Sequence, residues 1–191
     1  MAMDTPRIEA AVREILAGIG EDPDRDGLRD TPARVARMYA EVFQGLEQDA
    51  HEPLSTTFDI DHQELVLVRD IAFYSMCEHH LLPFAGHAHL AYLPGEQVVG
   101  LGALVRVVEI LASRPQVQER LGEQIADAIA DNLDARGVLV VLDASHGCVT
   151  LRGGRQPEAS TLTIAARGVY AEPAARGELI ALIASPSAAT P

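Results

Sequence analysis

The first 45 residues alternate apolar and polar positions in a way that predicts two helices. Between residues 6 and 19 the apolar side chains recur at helical spacing and form one stripe, made by Ile8, Ala11, Ile15 and Leu16. A second helix is predicted to begin with Thr31 as its cap and Pro32 at its first position, and to end near Gly45. Residues 46–63 are polar and irregular, which indicates a linker after this helical arm.

From residue 64 onward the pattern changes to strands and helices that follow one another in pairs. The predicted elements are strands at 64–75 and 86–94, helices at 100–113 and 116–133, and strands at 137–146 and 159–170. This order indicates an α+β fold with an antiparallel sheet, because the helices and strands do not alternate singly. The last seven residues, SPSAATP, are expected to be a disordered tail at 185–191.

Composition and charge narrow the class of protein. The 191 residues are 48% hydrophobic and 23% charged, which is ordinary for one globular domain. The formal charge of −13 argues against nucleic-acid binding and membrane-surface binding, since both need a basic face. The sequence has no apolar run of the roughly twenty residues that a membrane span needs, and its acidic start does not resemble a signal peptide. We therefore expect a cytoplasmic protein whose two cysteines do not form a structural disulfide.

The densest chemical signal is a pair of Cys/His clusters, each at the end of a predicted strand. Cys77 and His80 have C-x-x-H spacing, with His79 between them, and a tight turn at this spacing brings two side chains onto one metal. His146 and Cys148 are two residues apart, so on a strand they would share a face. Two thiols and three imidazoles suit zinc. The spacing alone leaves open a closed structural site, a catalytic site with three protein ligands, and cysteines unrelated to any metal.

Two further features are weaker when taken alone. Glu119 lies at the beginning of the predicted helix 116–133, where a carboxylate usually just stabilises the helix dipole, although it could also accept two hydrogen bonds from a guanine edge. The segment Arg152-Gly153-Gly154-Arg155 follows the second Cys/His cluster. Such a basic turn is more often solvated than a phosphate site, but here it lies beside a predicted metal pocket in an acidic chain.

Three motifs together resemble one enzyme family. CEHH, QVQER and HGC occur in the order and spacing of the GTP cyclohydrolase I family, and the resemblance extends from about residue 10 to about residue 183. It implies the tunnelling fold, in which an antiparallel sheet carries helices on one face and the sheets of several subunits close a barrel. It further implies a ring-forming homo-oligomer that is typically a decamer. It also implies a division into a helical arm at 1–48 and a catalytic domain at 64–184. The implied reaction uses water to open the imidazole ring of GTP at C8, giving 7,8-dihydroneopterin triphosphate and formate.

The resemblance also implies a role for individual residues. By similarity, zinc would be held by Cys77, His80 and Cys148, and protons would be transferred by His79 and His146. Guanine recognition would fall to Gln118 and Glu119, and the triphosphate would be bound by Arg106 and Arg152, with Arg34 and Arg37 reaching a neighbouring subunit's site. The substrate partner would be GTP, with no nucleic acid and no membrane involved.

One short segment departs from the family's pattern. The family usually has Ser-Lys where this chain has Gly102-Ala103, so that a hydroxyl and an ammonium expected near the triphosphate are missing. Leu162 also stands where a threonine is common. Two alternatives stay open, of which the first is prompted by Gly102 and Ala103 and the second is independent of them. The enzyme could prefer a different or less phosphorylated guanine nucleotide or nucleoside in a specialised pathway, or the protein could be a non-catalytic zinc-binding ring scaffold.

Overall fold

The computed structural model describes residues 3–59, 64–152 and 156–185 and has a mixed α+β architecture. The helices are α1 (Thr5–Gly18), α2 (Thr31–Val42), α3 (Leu101–Ala112), α4 (Gln118–Leu133), α5 (Gly147–Thr150) and α6 (Pro173–Ala184). The strands are β1 (Thr57–Asp59), β2 (Val66–Cys77), β3 (Pro83–Leu93), β4 (Gln97–Val99), β5 (Pro115–Gln116), β6 (Gly137–His146) and β7 (Thr161–Gly168). In the described part of the chain, no helix is long and apolar enough to cross a membrane.

The main sheet has five strands in the order β5-β2-β3-β6-β7. The four long strands pair antiparallel, which confirms the predicted antiparallel sheet, while the short β5 runs parallel to the end of β2. A bulge interrupts the β2–β3 register between Val68 and Ile71, where Asp70 takes a left-handed conformation with φ 59°. β1 and β4 form a separate two-stranded ribbon. The C-terminal ends of β2 and β6 both lie beside the start of β3. The two Cys/His clusters are therefore at the same end of the sheet.

The sheet is covered by helices on both faces. Alternate residues of β6 point to opposite sides, so that Val138, Val140 and Leu142 join the core beneath α3 and α4. Leu139 and Val141 pack in a second cluster with Leu179 of α6. The predicted fold placed its helices on one face only, and α6 corrects that picture. The hydrophobic residues of α6 do not leave a clear polar face, so its sequence carries no amphipathic stripe that would predict it.

Residues 44–59, which follow α2, are more ordered than the predicted linker. They form two 3₁₀ turns and the strand β1, and Leu54 is buried in the main core. Gly45 lies so close to α3 that a Cβ there would be 2.0 Å from the carbonyl oxygen of Ile110. The Arg114 guanidinium donates hydrogen bonds to the carbonyl oxygens of Gly45 and Gln48, both at 2.8 Å. These contacts fix the end of the arm against the end of α3.

The start of α2 differs by one residue from the prediction. Asp30 is the N-cap and makes no side-chain cap hydrogen bond, while Thr31 is the first helical residue, followed by Pro32. The Thr31 hydroxyl instead donates to the carbonyl oxygen of Gly27 at 3.4 Å. The helix ends at Val42, three residues before the predicted Gly45. The predicted tail begins at Ser185, and its residues 186–191 lie outside the described part of the chain.

Candidate metal centre and active site

Three of the five predicted metal-ligand candidates meet in one cluster. Cys77 is the last residue of β2, His80 follows in the turn, and Cys148 lies in α5; their sulfur and nitrogen ligand atoms are all within 4.8 Å of one another. The turn is closed by the Leu81 backbone N–H, which donates to the Cys77 carbonyl oxygen at 2.8 Å. Leu81 takes the left-handed conformation that this tight reversal needs, with φ 50°. The C-x-x-H spacing therefore forms the turn that was predicted from it.

The second cluster reaches the site by a different route from the one predicted. Strand alternation would have placed His146 and Cys148 on one face, but β6 ends at His146 and the chain turns into α5 at Gly147. A Cβ on Gly147 would be 2.9 Å from the carbonyl oxygen of Pro83, so the backbone passes close to the start of β3 there. The helical turn directs Cys148 towards Cys77 and separates it from His146.

The three ligands suit a metal ion of zinc's character. Two thiols and one imidazole form a borderline-soft set, and a three-ligand site leaves a coordination position open, as catalytic zinc sites do. Burial raises the pKa of the Cys148 thiol, and the neighbouring Cys77 raises it further. A bound divalent cation would reverse this balance, because it stabilises the thiolates that it coordinates. The cluster can therefore hold a metal ion.

His146 is held firmly at the end of β6. Its ring stacks on Phe84 with a centroid distance of 4.6 Å and an interplanar angle of 3°, and its Nε2 lies 2.7 Å from Oε1 of Gln118. Burial lowers the pKa of His146, and the nearby Glu119 carboxylate partly offsets this by favouring the charged ring. The His146 imidazole is therefore close enough to Glu119 to be affected by its charge. In the sequence, His146 precedes the metal-ligand candidate Cys148 by two residues.

The start of α4 carries three neighbouring residues in different environments. Gln118 is almost fully buried, whereas Glu119 and Arg120 are exposed. Arg120 forms an ion pair with Glu78, which lies in the metal-binding turn, and Glu78 also lies 3.9 Å from Nε2 of His79. The ion pair links the turn that carries His79 and His80 to the helix that carries Gln118 and Glu119. No role was predicted for Glu78, Arg120 or Phe84, although Glu78 lies within CEHH and Arg120 within QVQER.

A cavity of about 870 Å³ lies between α2, α3 and one edge of β2, and among the described residues its lining does not include the three metal-ligand candidates, His146 or Glu119. Met76, Leu81 and Pro83, which flank the metal-binding turn, line one end of it, and Arg106 lines the α3 side. The Arg106 guanidinium pairs with Glu109 at 3.0 Å and donates to the Gln48 side chain at 3.2 Å. This volume falls within the general range of small-molecule pockets.

The remaining predicted arginines are not among the described residues that line this cavity. Arg34 and Arg37 are on the exposed side of α2, where Arg34 pairs with Asp30 at 3.4 Å. Arg152 is exposed just after α5 and is close enough to Cys148 to favour its thiolate electrostatically. Among the described residues, those that line the cavity do not include these three arginines. The rest of the predicted basic segment, residues 153–155, lies outside the described part of the chain.

Comparison with known proteins places this geometry in a family. The GTP cyclohydrolase I family model matches residues 8–184. A GTP cyclohydrolase 1 of Leifsonia xyli subsp. xyli is 62% identical over 94% of this chain and 95% of its own, and one of Carboxydothermus hydrogenoformans is 59% identical over 95% of both chains. A GTP cyclohydrolase 1 of Bacillus subtilis is 57% identical over 91% of this chain and 93% of its own. The chain therefore belongs to the GTP cyclohydrolase I family of enzymes.

Proposed function

We propose that this chain is a zinc-dependent GTP cyclohydrolase I, which opens the imidazole ring of GTP at C8 and releases formate and 7,8-dihydroneopterin triphosphate. The observation that carries the proposal is the Cys77-His80-Cys148 cluster, whose ligand atoms lie within 4.8 Å of one another. The family match and the named relatives support the same reaction class.

The proposed roles of the side chains follow from their chemistry. Zinc held by the three ligands would supply Lewis acidity and a nucleophile near neutral pH. His146 and His79 would transfer protons, since imidazoles titrate near neutral pH. The Glu119 carboxylate, exposed at the start of α4, would accept two N–H hydrogen bonds from the guanine edge, which selects guanine over adenine.

The positive charges divide into two proposed groups. Arg106 lines the cavity and would bind phosphate from the α3 side, while Arg152 would bind phosphate from its position near Cys148. Arg34 and Arg37 extend from the exposed side of α2, so we propose that they reach the triphosphate held by a second copy.

A homo-oligomer is also part of the proposal. Within the described residues, β7 is the last strand at one edge of the five-stranded sheet. At the other edge, β5 pairs with β2 only at Met76 and Cys77, so the rest of β2 has no described strand on its outer side. Open edges of this length are normally paired or protected. Leu162 and Ile164 of β7 and Tyr74 of β2 are also exposed, at 60%, 40% and 77%. Pairing of β7 with the β2 edge of a second copy would close a ring and place chain from that copy beside the cavity.

We expect light scattering on the purified protein to give a mass several times the 20.5 kDa of one chain. The physical reason is that a ring satisfies both sheet edges of every subunit. The decamer that the family resemblance implies would have ten chains. A monomer with full turnover would contradict both the ring and the shared active site.

The proposed reaction predicts that zinc-loaded protein converts GTP to formate and to a product that becomes fluorescent on oxidation. The measurement is kcat/KM for a panel of GTP, GDP, GMP and guanosine, with ATP as the control for base recognition. Absence of turnover on every guanine compound, with zinc bound stoichiometrically, would contradict the proposed function.

A second candidate, a preference for fewer phosphates, is favoured by Gly102 and Ala103 at the start of α3. Gly102 lies four residues before Arg106, on the same face of the helix, and a Cβ at Gly102 meets no atom within 4 Å. Lost charge-assisted contacts cost about 1.5–3 kcal/mol each. The same panel of guanine compounds tests this second candidate, because a strong preference for GTP would reject a preference for fewer phosphates. In the variant Gly102→Ser/Ala103→Lys, the GTP-to-GMP ratio of kcat/KM should then rise by roughly 10- to 150-fold.

A further inference from the structure

Gln118 occupies an unusual position for a residue expected to recognise a base. It is 1% exposed, and its Nε2 donates to the carbonyl oxygens of Leu142 and Thr161 at 3.0 and 2.8 Å and lies 3.1 Å from the Thr163 hydroxyl. Its Oε1 faces Nε2 of His146 at 2.7 Å. Both ends of the amide are therefore engaged inside the protein.

These partners determine which way the amide is turned. Two of the three oxygens around Nε2 are backbone carbonyls, which only accept hydrogen bonds, so the NH₂ group must face them. The reversed amide would put a carbonyl oxygen against two others. Oε1 consequently faces His146 as an acceptor, and the imidazole must donate an N–H to it. The hydrogen of the neutral His146 ring is thereby assigned to Nε2, which leaves Nδ1 as the nitrogen that can accept a proton.

We infer that Gln118 is a positioning residue, which acts through His146 and does not contact the substrate base. It holds His146 as the Nε2–H tautomer, and the stacked Phe84 ring fixes the plane of the imidazole. The inference rests on the proton-transfer role of His146 proposed above. It leaves Glu119, exposed one residue later, as the side chain that faces the guanine.

A double-mutant cycle separates positioning from base recognition. Gln118→Met keeps the length of the side chain but removes the acceptor, so kcat for GTP should fall on the order of 10²-fold, as a misplaced catalytic group does. KM for GTP and the Kd of GTP for metal-free protein should change less than about threefold. In a His146→Ala background, Gln118→Met should lower kcat no further, because coupled residues are not additive. Additive losses, or a tenfold weaker binding of GTP, would overturn the inference.

Gln116 offers a matched control two residues away. It is also almost fully buried, and its Nε2 donates to the Leu111 carbonyl oxygen and to Gln124, without contact to a histidine. Gln116→Met should therefore lower the melting temperature about as much as Gln118→Met while leaving kcat within about twofold. Equal losses of kcat in the two variants would show that any buried amide has this effect, and would reject the positioning role.

Solid-state ¹⁵N NMR of the zinc-loaded wild-type protein tests the tautomer without any folding risk. The His146 signal, assigned by its absence from His146→Ala, should show a protonated Nε2 and an unprotonated Nδ1. A protonated Nδ1 with bare Nε2 would overturn the inference even if Gln118→Met did not fold. This result does not depend on turnover, so failure of the inference and failure of the proposed reaction are distinguishable.

Discussion

Replacing Cys148 with Ala is expected to abolish stoichiometric zinc binding and, with it, turnover of GTP. Structural zinc sites with four ligands bind with about 10–16 kcal/mol, which is on the order of 2.5–4 kcal/mol per ligand. Loss of one thiolate from a three-ligand site should therefore weaken zinc binding by roughly 10²- to 10³-fold. Metal content after dialysis and kcat/KM for GTP at limiting zinc are the two measurements.

Cys148 is the better target of the two cysteines. Cys77 is buried in the main core, so that its replacement would combine loss of a ligand with loss of packing, whereas Cys148 is only half-buried. Val149→Ala, at the exposed neighbouring residue, is the matched control and should keep both zinc and turnover. A Cys148→Ala protein that retained one tightly bound zinc per chain would show that the metal lies elsewhere.

Residue spacing in the sequence predicted one half of the metal cluster correctly and the other half only in part. C-x-x-H predicted the turn at Cys77 and His80, because a turn of that length has few possible conformations. The position of the third ligand, Cys148, depended on where β6 ends. Strand alternation grouped Cys148 with His146, but the chain enters α5 at Gly147 and sends the two side chains to different partners. Such an ending depends on the close approach to Pro83, a tertiary contact that the local sequence does not encode.

The elements of the fold likewise separate into those that the sequence predicted and those that it did not. The amphipathic helices α1 and α4 and the four long strands were predicted close to their observed bounds, because each has a clear hydrophobic period. α6 was missed because its apolar residues do not form one stripe, and β5 because it is two residues long. Such elements are determined by the surface they pack against, which only the assembled sheet provides.

The site also depends on contacts that join its parts. The ion pair between Glu78 and Arg120 connects the metal-binding turn to α4, and Gln118 connects α4 to His146 at the end of β6. Motif reading treats the turn, the helix and the strand end as three separate signals. The structure shows that neighbours of the candidate catalytic residues hold these three segments in register.

Replacing His146 with Ala is expected to lower kcat for GTP by about 10²- to 10⁴-fold, the contribution of a typical general acid or base. Zinc content and the mass of the assembly should be unchanged, because the His146 ring lies against Phe84 and Gln118, outside the three-ligand cluster. The variant therefore distinguishes an enzyme from a non-catalytic zinc-binding ring scaffold, in which His146 would have no measurable role.

The matched control is His87→Ala, at an exposed histidine in the middle of β3. His87 lies opposite Asp143 of β6, and Asp143 is three residues before His146. The His87→Ala variant therefore reports on general damage to the same part of the sheet. We expect its kcat to stay within about twofold of the wild-type value, as for most surface substitutions. If the His146 and His87 variants lost activity equally, or if the His146 variant lost its zinc, proton transfer by His146 would be contradicted. A selective loss of kcat with zinc retained would place the chemistry at the end of β6, beside the metal and not on it.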